Sequence, residues 1–343
     1  MRTKLLSALT MGVFVAAGLF APAASSASTA TTAKNKPSTK TSTATAAKTK
    51  GAKVEKTVAT SGKTKKSAAP AKSKKVAATH SEQWQATRQL AVASSAALVV
   101  EQGGAEPIYQ KNAEAVVPIA SITKLMTAMV VLDAVPNLRE SIHVGDEDVD
   151  YLKGSRSRLN VGAELSREDA LLISLMSSEN RATHALARHY PGGLAAFIPA
   201  MNRKAVELGM YNTRFEDPTG LSSNNVSTAK DLAKMVVAAH RYPLIREFSI
   251  SSDAKIEVSG RLMEYRNTNA LVKSNAWDIG LSKTGFIQEA GKCLVMQARV
   301  AEKPVVIVLL DSQGKLTRIG DANRIKRWME STQASAARRT PSA

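Results

Sequence analysis

Cysteine is nearly absent: Cys293 stands alone in 343 residues, so no internal disulfide can form. Its neighbours in "KCLVMQARV" are apolar and point to a buried, inert thiol, because a catalytic cysteine needs an activating partner and none is near. Long apolar runs are scarce too. After the first 27 residues no segment reaches the roughly 20 apolar residues of a bilayer span. H-E-x-x-H and G-x-S-x-G are missing, and His184 and His189 are five residues apart rather than four. "GFIQEAGKC" has five residues between its glycines and Cys after its Lys, which excludes a phosphate-binding loop. A Ser-His-Asp triad stays open, since its members can lie far apart in sequence.

Acidic residues are missing from one long stretch. Residues 28–80 carry 13 Lys against Glu55 alone and are otherwise mostly Ala, Thr and Ser. Such a composition cannot bury enough surface to offset the entropy of ordering, so it reads as a disordered tether. The residues before it read as a cleavable export leader: Arg2 and Lys4, the apolar "LLSALTMGVFVAAGLF", then "SSA" ending at Ala27. With leader and tether set aside, residues 81–343 carry +4 of the total +18. Lysine-alanine tails elsewhere bind nucleic acid. Export removes that partner, so no nucleic acid is expected, and weak attraction to anionic envelope polymers takes its place. No membrane anchor is expected once the leader is cleaved, and the location implied is the periplasm.

From residue 81 the composition becomes globular. "AALVVEQ", "GGAEP" and "IYQKN" read as strand, turn and strand. Residues 121–134 read as a helix ended before Pro136, and "SREDALLISLMSS" as a helix opened by a capping box from Ser166 to Asp169. Further helices are expected at "LAAFIPAMNRKAVELG" and "TAKDLAKMVVAAHRY". "IGLSKTG", "KCLVMQARV" and "KPVVIVLLDS" read as three strands, followed by the helix "ANRIKRWMES". Strands at both ends with helices between them predict one sheet closed by the termini around a helical insertion. The domain is expected over 81–330, with a disordered tail over 331–343, "STQASAARRTPSA", which has no apolar face.

One charge stands out within this domain. Lys124 lies inside the apolar "PIASITKLMTAMVVLDAV", three residues after Ser121. Burial would disfavour its ammonium and free an amine to take the serine proton, while the bland alternative is a lysine snorkelling to the surface. The S-x-x-K pattern also starts at Ser227, Ser252 and Ser312, so alone it decides nothing. Two further elements break the tie: Ser178-Glu179-Asn180 at the end of an apolar helix, and Lys283-Thr284-Gly285 at the end of a strand. A positive Lys283 near Lys124 would lower the pKa of Lys124 further.

These three motifs, separated by 57 and 105 residues, resemble those of the penicillin-recognising serine peptidases and β-lactamases. "LMSSENRATHALARHYPGG", "LGMYNTRFEDPTGLSSNNVSTAKDLAKM", "RNTNALV" and "KTGFIQEAGKCLVM" extend the likeness over residues 90–330, to the DD-endopeptidases among the low-molecular-mass penicillin-binding DD-peptidases. The resemblance implies an α/β antiparallel sheet flanked by helices beside an all-α subdomain, the β-lactamase/transpeptidase-like fold, with the site between them. It implies Ser121 as acylated nucleophile, Lys124 as its base, Ser178 as proton relay, and Asn180 holding the substrate amide and Lys124. Lys283, Thr284 and Gly285 would bind the substrate carboxylate, and the backbone N–H groups of Ser121 and Phe286 would form the oxyanion hole. Peptidoglycan stem peptides would be the substrate and β-lactams covalent inhibitors, with no cofactor or metal.

Departures from the pattern limit the reading. "RFEDPTGLSSNN" contains Glu216 but not the E-x-x-L-N of class A β-lactamases, so a penicilloyl enzyme is expected to be long-lived. Tyr265-Arg266-Asn267 matches the class C middle motif but lies only 16 residues before Lys283 measured from Asn267. Two alternatives are carried: a D-Ala-D-Ala carboxypeptidase on the same fold, and a non-enzymatic cell-wall scaffold.

Overall fold

The structure is a computed structural model that describes residues 90–339. The expected leader (1–27), the tether (28–80) and the start of the domain (81–89) lie outside the described residues. The described chain begins with β1 (Ala96–Glu101), β2 (Pro107–Lys111) and the short β3 (Val117–Pro118). A 3₁₀ turn, Ala120–Thr123, leads into α1 (Lys124–Asp133). Then come β4 (Ser141–His143), β5 (Glu164–Ser166), α2 (Arg167–Met176), α3 (Asn180–Arg188), α4 (Gly193–Glu207), β6 (Val226–Ser227), α5 (Ala229–Ala239) and α6 (Pro243–Ile250). The chain returns through the hairpin β7 (Asp253–Val258) and β8 (Arg261–Arg266) to β9 (Asp278–Ile287), β10 (Gly291–Val300) and β11 (Lys303–Ser312), and closes with α7 (Thr317–Arg339).

The central sheet is antiparallel throughout, in the order β2-β1-β11-β10-β9. The first and last strands of the domain are therefore neighbours, and the helices are inserted between β2 and β9. A sheet covered on both faces needs strands that are apolar at every position. "VVIVLL" in β11 is such a strand. Val305, Ile307 and Leu309 face a core with Ala322, Ile325 and Met329 of α7, whereas Val306, Val308 and Leu310 face the core shared with the helical part. Cys293 points into that second core, fully buried, and burial pushes its thiol up to about 11. The domain's two ends are pinned by Asp321 of α7. Its buried carboxylate accepts from Ala93 N at 3.0 Å, Ser94 N at 2.7 Å and Ser94 Oγ at 2.6 Å.

Two expectations need correction. The boundary at residue 330 falls inside α7, and residues 331–339 are helical rather than disordered. Extending a helix already anchored by packing needs no new nucleation, and Gln, Ala and Arg are good helix formers. The missing apolar face shows instead as exposure of residues 330–335. Ser178 does not close a helix. α2 ends at Met176, and Ser178 adopts a left-handed conformation at φ +63°, with α3 starting at Asn180. Ser177 Oγ and Glu179 N both bond to Ile173 O, at 2.7 and 3.1 Å, which ends the first helix and turns the chain into the second.

Candidate active site

Ser121 occupies the 3₁₀ turn before α1. In a 3₁₀ turn residues i and i+3 eclipse, so the S-x-x-K spacing stacks Lys124 over Ser121, with Nζ 2.9 Å from Oγ. Ala120, just before the serine, is held at φ +48°, a conformation that costs a non-glycine residue about 1–2 kcal/mol. Two glycines pack against this strained corner. A Cβ on Gly220 would lie 2.0 Å from Ala120 O, and one on Gly285 would lie 2.9 Å from Ile119 O and 3.1 Å from Ser121 N. The glycine of K-T-G is there for clearance: β9 can pass the backbone of Ser121 only if residue 285 lacks a side chain.

Lys124 is fully buried. Besides Ser121 it contacts Asn180 Oδ1 and Thr219 O, both at 2.7 Å. Burial lowers its pKa from 10.5 to about 7, against the opposing pull of Asp217, Glu179 and Asp150. A neutral amine has two protons and one lone pair. Asn180 Oδ1 and Thr219 O can only accept, so they take both protons. The lone pair is then left for the Ser121 hydroxyl, which is the geometry of a general base. The other three S-x-x-K lysines, Lys230, Lys255 and Lys315, are exposed.

Asn180 is fixed at both ends of its amide. Its Oδ1 receives Lys124, and its Nδ2 donates to Ser155 Oγ at 2.9 Å. Ser155 belongs to a loop wound around Asp150, whose carboxylate accepts from Leu152 N, Lys153 N and Ser155 N at 2.8–2.9 Å. On the opposite wall, Lys283 Nζ donates to Ser178 Oγ at 2.9 Å and to Thr284 O at 3.0 Å. Lys283 is itself buried and held well below the ordinary lysine range, by desolvation first and then by the charges of Lys124 and Arg318. Burial is the leading cause of the lowered Lys124 value, and two ammonium groups in one dry site further disfavour each other.

β9 is an edge strand, so one row of its backbone groups faces out of the sheet. Ser282 N donates outward to Ser249 Oγ at 3.3 Å. With the two-residue period of a strand, the N–H groups of Thr284 and Phe286 share that outer edge. Gly285, between these two residues, packs against Ser121 N. The Phe286 side chain is 57% exposed and lies under Lys292, whose Nζ is 4.0 Å from the ring centre. Thr284 Oγ1 is 2.6 Å from Thr268 Oγ1. Arg318 donates to Gly285 O at 2.9 Å and Cys293 O at 3.0 Å, bracing the strand from behind.

Several of these groups carry no motif. The loop 216–225 is organised by Asp217, whose two oxygens accept from Thr219 N, Thr219 Oγ1, Gly220 N and Ser222 N at 2.5–2.8 Å. Asn225 locks it further, accepting from Glu216 N at 2.8 Å and donating to Thr123 Oγ1 at 3.1 Å. The loop's product is one carbonyl, Thr219 O, aimed at Lys124. "DPTG" reads as a turn, but nothing in the letters says what the turn delivers. Glu216 is taken up by Arg214 at 2.8 Å and stands apart from Ser121. Among the described residues, no cluster of three or more His, Cys, Asp or Glu is placed to hold a metal ion.

Residues 82–314 match the family described as D-alanyl-D-alanine carboxypeptidase. A D-alanyl-D-alanine endopeptidase of Pseudomonas aeruginosa is 48% identical over 250 residues, 72% of this chain and 81% of that one. The Escherichia coli protein of the same name is 49% identical over 241 residues, 70% and 78% of the two chains. Penicillin-binding protein D2 of Listeria monocytogenes, solved in its ampicillin-bound form, superposes with a TM-score of 0.61 at 29% identity, covering 70% of this chain and 98% of that one.

Proposed function

The chain belongs to the D-alanyl-D-alanine carboxypeptidase family, and from that premise we propose that it is a serine DD-endopeptidase of peptidoglycan, cutting D-Ala–diaminopimelate cross-links through an acyl-enzyme on Ser121. One observation carries the chemistry: the buried amine of Lys124, 2.9 Å from Ser121 Oγ, with its other two contacts spent on carbonyl oxygens. The 48% and 49% identical relatives, both named D-alanyl-D-alanine endopeptidase, support the endopeptidase form.

Ser121 Oγ attacks the D-alanyl carbonyl while its proton passes to Lys124. The oxyanion develops against the N–H groups of Ser121 and Phe286, donors typically worth about 3 kcal/mol each. As the tetrahedral centre collapses, the C–N bond breaks and the leaving nitrogen takes a proton relayed through Ser178. Asn180 orients the substrate amide, while Lys283, Thr284 and the clearance at Gly285 seat the substrate carboxylate. Water then cleaves the ester, with Lys124 again as base. β-Lactams acylate Ser121 by the same attack.

The leader pattern of residues 1–27 and a peptidoglycan substrate support a periplasmic location, with 28–80 as a tether attracted to anionic envelope polymers and a catalytic domain that starts at 81 and runs to the end of α7. Among the described residues, no helix is long and apolar enough to cross a membrane. A D-Ala-D-Ala carboxypeptidase using the same residues is the second reading, favoured by the family's description. Digestion of purified peptidoglycan fragments followed by mass spectrometry separates them. Conversion of cross-linked dimers to monomers is expected, and Ser121→Ala abolishes it; loss of a single alanine from pentapeptides with dimers untouched supports the carboxypeptidase instead.

A further inference from the structure

A cavity of about 480 Å³ is lined by Arg158, Ser177, Glu264 and Arg266. Ser177 directly precedes Ser178, and Arg266 lies two residues before Thr268, whose hydroxyl meets that of Thr284. The cavity is therefore walled by the two segments that flank the K-T-G strand. Its charge is unbalanced. Glu264 faces Arg266 at 3.4 Å, and among the described residues no carboxylate pairs with Arg158. Yet Arg158 is held in place: its guanidinium carbon lies 3.8 Å from the centre of the Tyr265 ring, and Nη1 donates to Glu264 O. Tyr265 beneath it is buried, so the stack rests on a fixed base. An arginine stacked on an aromatic ring keeps its remaining N–H groups in one plane, the arrangement that suits bidentate carboxylate recognition.

We propose that this cavity is a subsite for a free carboxylate of the peptide being cleaved, held by Arg158 with Arg266 in support. It rests on the DD-peptidase reading and adds to it a determinant of which stem peptides bind, apart from the terminal carboxylate assigned to Lys283 and Thr284. A guanidinium fork distinguishes a carboxylate from a carboxamide by charge, so amidation of the side carboxylates of the stem peptide is what the pocket reads. Glu264, paired with Arg266, leaves Arg158 as the principal contact for the ligand's carboxylate, with Arg266 adding charge at longer range.

The test is binding to the Ser121→Ala protein, measured by calorimetry with two ligands: a cross-linked stem-peptide dimer with free diaminopimelate carboxylates, and the same dimer amidated. The free dimer is expected to bind about tenfold more tightly, the size of one charge-assisted contact. Arg158→Ala is expected to remove that preference and Arg158→Lys to restore only part of it. Arg266→Gln, a change at a side chain 73% exposed, is expected to reduce the preference without disturbing the fold. Equal affinity for the two dimers, no binding of either, or equal losses on both in Arg158→Ala would overturn the proposal. Failure of the DD-peptidase reading shows elsewhere, as wild-type protein that leaves both dimers uncut while the binding comparison still reports on the pocket.

Discussion

If burial makes Lys124 a base, the rate of acylation must follow its titration. Lowering its pKa from 10.5 to about 7 corresponds to about 5 kcal/mol against the ammonium. At pH 7 roughly half of the molecules then carry a neutral amine, against about one in three thousand for an ordinary lysine. The assay is the second-order rate of acylation by a fluorescent penicillin from pH 5 to 9. The rate is expected to fall about tenfold per pH unit below pH 7 and to level off above it. Asn180→Asp supplies the complementary perturbation, placing a carboxylate where Oδ1 now lies 2.7 Å from Nζ. An opposite charge at that range favours the ammonium, so the acidic limb should move up by about 1–3 pH units. A rate flat across pH 5–9, or a limb that stays in place in Asn180→Asp, would refute Lys124 as the base.

Other consequences are open to measurement. Gly285→Ala puts a Cβ within 3.1 Å of Ser121 N and is expected to slow acylation about a hundredfold, with a smaller loss of melting temperature; unchanged acylation would remove the clearance argument. The penicilloyl enzyme should persist for many minutes by intact mass, because both oxygens of Asp217 are committed to four donors and cannot activate water; rapid return of the free mass contradicts this. Asp321→Ala strands the two buried donors of Ser94 and frees that of Ala93, and is expected to cost about 2–4 kcal/mol, read by denaturant titration. Hydrogen bonds hold the Asp321 carboxyl below its ordinary 3.8 despite the opposing effect of burial. Its contribution is therefore full above about pH 4 and fades as pH falls through the lowered value, a loss that Asp321→Ala should not show.

Much of this molecule is legible in its sequence, and the unread part has a common cause. "KPVVIVLLDS" reads as a strand and is one, and Ser166 with Asp169 marks a helix start to the residue. What stayed hidden are contacts whose partners are backbone atoms. Thr219 O has no identity in the letters, because every residue carries a carbonyl, and the N–H of Phe286 came only through the resemblance. Ser155 is missed for a related reason: it matters only through the loop that Asp150 winds. The β7–β8 hairpin also escaped: β7 alternates exposed and inner positions over only six residues, and β8 is mostly exposed. The motif S-E-N was found, but the sharp corner it makes depends on where Ile173 O lies.

The two edges of the central sheet have opposite fates. At β2 the edge is short, begins with Pro107, twists at a bulge between Val99 and Val100 of β1, and carries Lys111, whose ammonium caps Val92 O and Ser94 O. Each of these is a known deterrent to a stray strand docking there and starting an aggregate. At β9 the edge beyond the Ser282–Ser249 contact has outward N–H groups at Thr284 and Phe286, and under the DD-peptidase reading an extended peptide is held there by main-chain pairing. The protein thus tolerates at one border the same stickiness it suppresses at the other. Lys153 and Glu289 make a half-exposed ion pair between the Asp150 loop and the β9–β10 turn, a fence that salt would loosen at that border. Self-association through β9 should accordingly grow with ionic strength and be suppressed by a bound peptide, so that one strip of backbone governs both turnover and solubility.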